Sequence, residues 1–368
     1  MDQRAFDFLR RLLDAPGPSG FEARPSRVWR EEATTFAEAV DHDVLGNSWA
    51  RLKNDGAPVM VIEGHIDEIG LMVTLIDESG YLLFDAIGGW DTQVIIGQRM
   101  IVMGRNGDVT GVVGRKAPHG MSADDRNKVP ELRDLWIDIG AASKEDAELR
   151  VETGDPIVID APFRQLTDDL VVARSLDNRV GAFVALEALR LLADDRPAFD
   201  TYALVAAQEE ISFAGARTAT FQLSPTAAIV IDVTHATDYP GADKWRNGDI
   251  KMAKGPVLGR GSATNEVVYR ALNDYAAAND LPIQRQGNPR SSWTDADAMY
   301  LTGAGAATGA ATGAGAGAGA TTGAGAAAAA AGATTTGATA TAAAGALPVE
   351  RFIAAYGTGT EVVETTAT

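Results

Sequence analysis

Four short apolar runs in the sequence each end at side chains that can bind a metal ion. These side chains are His65, Asp177, the pair Glu209 and Glu210, and Asp232. Imidazole and carboxylate groups are ligands for zinc, cobalt and manganese in proteins. Because a carboxylate has two oxygens, one acid can bridge two ions about 3.5–4 Å apart, and the ions can then activate a water for attack on a carbonyl. The residue types therefore predict metal-assisted hydrolysis, with Asp177 as the candidate bridge.

Two acids beside these candidates have the chemistry to move or hold protons. A carboxylate at Glu209 suits a general acid/base that takes a proton from water and passes it to a leaving nitrogen. If Glu209 and Glu210 were ordinary strand residues, one of them would face the core unpaired, so we expect them where a strand ends. Asp67 can accept from the second imidazole nitrogen of His65 and fix its tautomer, or it can cap a turn together with Glu68.

Strands of one sheet are the elements that must position these residues. Each run is continuously apolar, which is typical of a strand buried on both faces of a parallel or mixed sheet. The carboxyl ends of such strands border the ligand crevice of an α/β fold, so four runs would deliver their side chains to one place. From residue 178 onward, helices and strands alternate, with predicted helices from 178, at 214–222 and at 264–279, and predicted strands at 201–207 and 227–233. We expect an α/β fold with a doubly wound mixed sheet covered by helices.

A second pattern occupies about residues 69–165. Short apolar segments alternate there with Gly, Asp and Asn turns, and helical periodicity is almost absent. We predict a small β-rich domain inserted into a catalytic α/β domain made of 1–68 and 166–368. Its predicted strands are 71–76, 81–86, 100–103, 108–113, 135–139 and 156–159. Before it, the pattern predicts helices at 3–14 and 22–39 and strands at 44–53 and 59–63.

Size and composition exclude several classes of protein. A chain of 368 residues exceeds what one hydrophobic core usually supports. The net charge of −18 argues against a nucleic-acid partner, because phosphate binding depends on Lys and Arg. The sequence has no cysteine, which rules out disulfides and thiolate chemistry and fits a reducing cytoplasm. Charged residues interrupt the apolar residues near the amino terminus, so we expect neither a signal peptide nor a membrane span.

The stretch 302–346 contains only Gly, Ala and Thr. Such a segment buries too little apolar surface to offset an ordering entropy of roughly 1–2 kcal/mol per residue. Three origins fit: a natural flexible or silk-like insert, a deliberate replacement, or letters that stand for side chains not identified. We favour the third, because a doubly wound domain still needs its final strands and helix at this point.

The motifs around the candidate residues resemble those of the TET-type dinuclear metalloaminopeptidases. These are relatives of glutamyl, leucyl and deblocking aminopeptidases, and some are labelled endoglucanases. The similarity covers about residues 1–300 and rests on four motifs, which are His65-Ile66-Asp67-Glu68-Ile69-Gly70, Ser175-Leu176-Asp177-Asn178-Arg179-Val180-Gly181, Gln208-Glu209-Glu210 and Asp232-Val233-Thr234. The resemblance implies an enzyme with two divalent metal ions per chain, zinc first and cobalt or manganese as alternatives. Its activity would be the removal of amino-terminal residues from short peptides.

The resemblance also implies a role for each residue and for the insert. It assigns His65 and Asp232 to one metal, Asp177 to the bridge, Glu210 to the second metal, Glu209 to general acid/base catalysis and Asp67 to the support of His65. It further implies a cis peptide bond between Asp177 and Asn178. The β-rich insert would help to assemble dimers into a hollow tetrahedral dodecamer.

One departure from the family concerns the second metal. The family has a further histidine roughly twenty residues after a Thr-Asp-Ala segment, here Thr294-Asp295-Ala296, and this sequence has only Gly, Ala and Thr at those positions. The remaining histidines are poor substitutes. His235 follows Asp232 closely, His119 lies in a loop that could approach the substrate, and His42 is expected at the surface. With a ligand missing, the second metal would bind weakly and most of the activity would be lost.

Three alternatives keep the same crevice. The first is a catalytically weakened assembly or peptide-binding particle. The second is a metal-dependent N-acyl-amino-acid deacylase. The third is a glycosidase, which uses two carboxylates without a metal, so that a chelator would leave its activity intact.

Overall fold

Helices and strands alternate along the chain in the computed structural model, which describes residues 1–303, 305–316 and 364–367. The helices are α1 (Gln3–Asp14), α2 (Ala23–Ala33), α3 (Thr92–Ile95), α4 (Ala123–Asn127), α5 (Lys144–Glu148), α6 (Leu176–Asp194), α7 (Glu209–Ser212), α8 (Ala214–Leu223), α9 (Lys244–Asn247), α10 (Glu266–Ala278) and α11 (Asp295–Leu301). Within the described ranges, no helix combines the length and the apolar composition needed to cross a bilayer.

The strands form one large mixed sheet and one closed barrel. The strands of the large sheet are β1 (Ala39–His42), β2 (Ser48–Leu52), β3 (Val59–His65), β10 (Arg164–Gln165), β11 (Leu170–Val172), β12 (Asp200–Ala206), β13 (Ala227–His235), β14 (Val257–Gly261), β15 (Gln284–Asn288), β16 (Gly305–Ala316) and β17 (Glu364–Ala367). The strands of the barrel are β4 (Gly70–Ile76), β5 (Leu82–Ile87), β6 (Arg99–Gly104), β7 (Gly107–Arg115), β8 (Leu135–Asp138) and β9 (Pro156–Ile159).

The large sheet has the order β1-β2-β12-β3-β13-β16-β17-β11-β10, and β14 joins β16 to β15. Strand β3 pairs in parallel with β12 on one side and with β13 on the other, so three carboxyl ends meet at one edge. Strands β1 and β2 pair antiparallel, as does β14 with β16, which makes the sheet mixed. The α/β fold class predicted from the sequence is confirmed.

Alternate residues of β3 fill two cores, which explains why the strand reads as one apolar run. Met60 and Ile62 pack on the face covered by α1, α2 and α6, whereas Val61 packs on the face covered by α8 and α11. Each fully buried side chain of this size contributes about 1.5–3 kcal/mol. Helices on both faces therefore hold the edge of the sheet where β3 ends.

Helix α6 crosses β3 at very short range. A Cβ atom on Gly64 would come within 2.4 Å of the carbonyl carbon of Gly181, and one on Gly181 would come within 2.4 Å of the carbonyl oxygen of Ile231. Glycine at both positions lets the helix backbone lie directly on the strand. This approach brings the first turn of α6 beside the end of β3.

The barrel has its own hydrophobic core and the strand order β4-β5-β8-β7-β6-β9. Its strands lie between Gly70 and Ile159 and differ from the predicted strands by no more than two residues at either end. Arg24 of α2 pairs with Asp108 of β7, and the indole nitrogen of Trp90 donates to the carbonyl of Gly70. The domain boundary at 69–165 stays a prediction.

Two predicted elements are shorter than the pattern indicated. The predicted helix 22–39 stops at Ala33, because the hydroxyls of Thr34 and Thr35 donate to carbonyls of the preceding turn and the chain then enters β1. The predicted strand 44–53 begins at Ser48, because Oδ1 of Asp43 accepts from the amides of the following turn. Strands β1, β14 and β15 and helix α11 carry weak periodicity and were not predicted.

Candidate metal centre

His65 lies at the end of β3, and three carboxylates converge on its Nε2 atom. The distances are 3.2 Å to Oδ1 of Asp177, 3.7 Å to Oε2 of Glu209 and 3.8 Å to Oδ1 of Asp232. Donor atoms around a tetrahedral ion with bonds of about 2.0–2.1 Å lie about 3.3 Å from one another. The observed spacing fits donor atoms that share a cation.

The candidate side chains reach this point by different routes. Strands β12, β3 and β13 are neighbours in the sheet. His65 and Asp232 belong to β3 and β13, and the Glu209–Glu210 pair follows β12 at the start of α7. Asp232 lies inside β13, three residues before the strand ends, and not at its tip. Strand β11 is separated from β13 by β16 and β17, so Asp177 reaches His65 through the first turn of α6 and not as part of an adjacent strand tip.

The described residues contain two groups of donors that suit a metal ion. One group is His65, Glu209 and Asp232, and the other is His65, Asp177 and Glu210. In each group, one donor atom from every residue lies within 4.8 Å of the others. Nitrogen and oxygen donors of this kind serve zinc, cobalt and manganese alike. The side chain of Asp177 is 50% exposed, so the site is open to a ligand from solvent.

Burial and crowding strongly shift the pKa values of four side chains at this site, which are His65, Glu209, Glu210 and Asp232. Burial raises the pKa of Asp232 to about 7 and that of Glu209 to about 10. Burial, followed by the charge of Asp177, raises the pKa of Glu210 well above its usual value. Burial alone would lower the pKa of His65, but the carboxylates of Glu209, Asp177 and Asp67 outweigh it and raise that pKa. A bound cation would favour the deprotonated carboxylates by supplying the opposing charge.

The Glu209–Glu210 pair lies where strand β12 has ended and α7 begins. Gln208, between the two elements, has left-handed backbone angles of φ 60° and ψ 35°. The amides of Glu209 and Glu210 donate to Oδ1 and Oδ2 of Asp67, each over 3.1 Å. The chain therefore turns at the position where the sequence pattern places a break.

Asp67 contacts both the imidazole and the turn. Its Oδ1 atom lies 3.3 Å from Nδ1 of His65, an ion-pair distance at which the N–H is poorly aligned for a hydrogen bond. Burial would raise the pKa of Asp67, but His65 and the two backbone amides hold it below its usual value. Asp67 thus links the end of β3 to the start of α7.

The peptide bond between Asp177 and Asn178 is cis, as the family resemblance implies. The Nδ2 atom of Asn178 donates to the carbonyl of Ile231 over 2.8 Å, and its Oδ1 accepts from the amide of Gly181 over 3.0 Å. These bonds tie the first turn of α6 to the strand that carries Asp232.

A second layer of acids beneath the site was not predicted. Glu63 and Asp295 are fully buried, and their carboxylate oxygens have no hydrogen-bond donor among the described residues. Burial raises the pKa of Glu63 to about 8 and raises that of Asp295 well above its usual value. A charged residue inside the apolar run before His65 was the available sequence signal for Glu63.

The other histidines stay outside the described donor groups. His42 and His235 are exposed at strand ends, and His119 is exposed in the short turn Pro118–Gly120. The histidine that the family resemblance implies within 302–346 is absent from the sequence, and the side chains from residue 304 onward lie outside the described part of the structure.

A profile of the family described as M42 glutamyl aminopeptidase matches residues 46–315. The chain belongs to this family. It is 33% identical over 309 residues to the lysyl aminopeptidase of Pyrococcus furiosus, covering 82% of this chain and 87% of that protein. All six residues singled out in the sequence lie inside the matched range, and the expected family resemblance is confirmed.

Two solved structures of TET peptidases are similar to this fold. The TET aminopeptidase from a marine sediment archaeon, Thaumarchaeota archaeon SCGC AB-539-E09, has a TM-score of 0.77 and 33% identity, covering 83% of this chain and 87% of that one. The Pyrococcus horikoshii TET1 peptidase has a TM-score of 0.74 and 29% identity, covering 83% and 90%. Membership of this family makes the protein a hydrolase that acts on peptide bonds.

Proposed function

We propose that this M42 family member is a metal-dependent aminopeptidase that removes amino-terminal residues from short peptides. The observation that carries the proposal is the convergence of Asp177, Glu209 and Asp232 on Nε2 of His65. This cluster stands at the carboxyl edge of the sheet, where α/β folds bind their ligands.

Four residues would hold two divalent cations: His65, Asp177, Glu210 and Asp232. Each of them belongs to at least one of the two donor groups, and the burial of His65 and Asp232 supports the assignment. Two such cations supply a water that reacts at neutral pH and a polarised substrate carbonyl. Zinc is the first choice, and cobalt and manganese are served by the same donors.

Glu209 is the proposed general acid/base. Its carboxylate is buried in the donor group of His65 and Asp232, and its pKa is raised to about 10, mainly by burial. It would accept a proton on Oε2 and return it to the leaving amine. Asp67 would hold His65 and the α7 turn in position through its contacts with both.

Hydrolysis of aminoacyl p-nitroanilides by the purified protein tests this function. We expect release of nitroaniline from free aminoacyl substrates, no release from N-acetylated ones, and loss of turnover after chelation with recovery on adding zinc or cobalt. Cleavage of N-acyl amino acids in place of aminoacyl amides would identify the deacylase alternative. Turnover of a glycoside that survives chelation would identify the glycosidase.

Self-association is part of the proposal. The Pyrococcus horikoshii TET1 peptidase can assemble into a tetrahedron or a large octahedral shell. We propose that the β-rich insert at 69–165 contributes to a dodecamer built from dimers, in the cytoplasm that the cysteine-free sequence favours. Light scattering should then give about 460 kDa for twelve chains of 38.5 kDa, and a monomer would refute the assembly.

One observation favours a catalytically weakened particle as the second candidate. No histidine occurs in 302–346, so the described ligands leave the second cation with a carboxylate-rich and incomplete donor set. Elemental analysis distinguishes the two candidates. Two metals per chain with turnover support the enzyme, whereas one metal or none without turnover supports the weakened particle.

A further inference from the structure

Four consecutive backbone amides after strand β12 are each bound by a buried side chain from a distant part of the sequence. The bonds run from Ala207 to Oδ1 of Asn47 (2.9 Å), from Gln208 to Oε1 of Glu22 (3.1 Å), from Glu209 to Oδ1 of Asp67 (3.1 Å) and from Glu210 to Oδ2 of Asp67 (3.1 Å). We name these four bonds the amide clamp. Successive amides in an extended strand point in opposite directions, so a run of four side-chain acceptors marks a turn held from outside.

The acceptors of the amide clamp are themselves fixed. Oε1 of Glu22 also accepts from the amide of Gly20 over 2.6 Å. The amide group of Asn47 donates to Oδ2 of Asp43 over 2.7 Å and to the carbonyl of Gly215 over 3.1 Å. Such networks lock the rotamers of buried acceptors. The acceptors of the amide clamp are therefore held in position by contacts other than those with the turn.

The clamped turn has a conformation that its sequence disfavours. Gln208 is left-handed, at φ 60°, a region that residues other than glycine seldom adopt. On its other side, a Cβ atom on Gly215 would come within 2.2 Å of the carbonyl oxygen of Ala207, so α8 leaves the turn no room to relax. Side-chain acceptors on one side and α8 on the other hold Gln208 in place.

We propose that Glu22 is a positioning residue, which fixes the Gln208 turn and thereby aims the carboxylates of Glu209 and Glu210 at His65. Glu22 belongs to neither donor group, and it holds the turn through the Gln208 amide. Its catalytic consequence rests on the proposed function, whereas the geometry of the turn does not. Because Oε1 accepts from both the Gly20 and the Gln208 amides, the reach of this oxygen matters more than the charge.

Two substitutions separate reach from charge. Glu22→Gln keeps an acceptor oxygen at the same length but removes the charge, whereas Glu22→Asp keeps the charge but withdraws the oxygen by one methylene. We expect kcat of E22Q within about twofold of wild type and kcat of E22D lower by about 10–100-fold, as for a misplaced catalytic group, with KM nearly unchanged. If the charge of Glu22 were what mattered, E22Q would lose activity and E22D would keep it.

Two further measurements do not depend on turnover. Hydrogen exchange of the metal-free protein should show faster exchange at the amides of 207–210 in E22D but not in E22Q. The visible absorption spectrum of the cobalt-loaded protein should change in E22D, because Glu210 and Glu209 lie in the donor groups. Both measurements apply even where a variant has lost activity.

Glu32 is a matched control on the helix that follows Glu22. Glu22 is 4% exposed and Glu32 is 6% exposed. Glu32 pairs with Arg4 and Arg11 of α1 and with Arg190 of α6, and not with the turn. We expect Glu32→Asp to lower the free energy of unfolding without changing exchange at 207–210 or the cobalt spectrum.

The outcomes distinguish the two proposals. Wild-type kcat, exchange and cobalt spectrum in E22D would overturn the positioning role, and so would equal damage in E22Q and E22D. If the wild-type protein cleaves no aminoacyl amide, the proposed function fails, while the exchange rates at 207–210 still decide whether Glu22 holds the turn.

Discussion

Nε2 of His65 lies 3.2 Å from Oδ1 of Asp177, although the strands that precede these residues are separated in the sheet by β13, β16 and β17. The contact exists because α6 lies directly on β3, with Gly64 against Gly181. The candidate metal centre therefore depends on a close backbone approach between residues that bind no metal.

Gly64→Ala should separate α6 from β3. The new Cβ would lie 2.4 Å from the backbone of Gly181 and 2.6 Å from that of Ala182. Backbone atoms, unlike the end of a flexible side chain, cannot relieve this overlap by changing rotamer. We expect a loss of about 1–3 kcal/mol in the free energy of unfolding, as for an overpacked core, together with weaker metal binding. Urea denaturation and metal titration measure the two effects.

Gly89→Ala is the matched control for this substitution. A Cβ at Gly89 has no atom within 4 Å, and the residue needs no positive φ. Its effect should stay within about 0.5 kcal/mol. If G64A is as stable as G89A and binds metal equally well, the close approach of α6 does not support the site.

Glu209 and Glu210 are adjacent but should respond differently to the same substitution. In the proposed roles, Glu209→Gln removes the acid/base, so kcat should fall by about 10²–10⁴-fold while both metals are retained. Glu210→Gln removes a ligand, so metal content should fall as well. Elemental analysis beside steady-state kinetics separates these outcomes. Near-normal turnover in E209Q would remove Glu209 from the mechanism.

The metal-free protein should lose stability as the pH rises. The pKa values of Asp232, Glu63 and Glu209 are raised to about 7, 8 and 10, in each case mainly by burial. A carboxyl group with a higher pKa in the folded chain binds more protons when folded, so the free energy of unfolding falls from about pH 4, the usual carboxyl value, through the folded pKa. The pKa of His65 is also raised, so above pH 6.5, its usual value, the loss of its proton lowers the free energy of unfolding further.

Urea denaturation of the chelated protein at about pH 5.5 and pH 8 checks this sign. We expect the lower stability at the higher pH, and a smaller difference after zinc is added, because a cation stabilises the deprotonated carboxylates. Glu63→Gln should reduce the pH dependence by removing one raised pKa. A metal-free protein whose stability increases over this interval would show that the buried acids are stabilised by other means.

Local patterns predicted most of the strands and pointed to most of the candidate metal-binding residues, because burial makes a strand apolar and function places polar residues near its end. His65 and Asp67 are of this kind, since His65 ends the strand formed by an apolar run and Asp67 comes two residues later. Side chains that bind a distant segment of the chain leave no such pattern in the sequence around them. Asn47 accepts a hydrogen bond from the amide of Ala207, and Glu22 accepts one from the amide of Gln208. Each pair is more than 150 positions apart in sequence, and the residues around Asn47 and Glu22 give no sign of it.

The route of Asp177 shows the same limit. The apolar run before it forms a strand, but β11 lies near the far edge of the sheet, and only the packing of α6 on β3 brings the carboxylate to His65. Sheet order depends on pairings between distant segments, which periodicity does not encode. The residue type and its motif therefore pointed to Asp177 as a candidate ligand, whereas the sheet order that separates β11 from β3 could not be read from the sequence.

Removing the buried Arg179 should cost far more stability than removing a surface arginine. Its guanidinium donates to the carbonyls of Leu12, Ile66 and Gly17 over 3.0–3.2 Å and pairs with Glu68 over 2.9 Å. Arg179→Met removes all of these donors, including one of the two arginines that pair with Glu68 in the described structure, so we expect a loss of about 3–5 kcal/mol in the free energy of unfolding.

Arg24→Met provides the comparison for Arg179→Met, because Arg24 also pairs with an acid but at the surface. The side chains of Arg24 and Asp108 are 34% and 41% exposed, and such a pair contributes about 0–1 kcal/mol. Urea denaturation of both variants at one pH gives the difference directly. Equal losses in R179M and R24M would mean that the buried guanidinium does not hold the loop before α2 against the end of β3. A larger loss in R179M, partly recovered by adding Glu68→Gln, would trace the recovered part to the buried charge of Glu68.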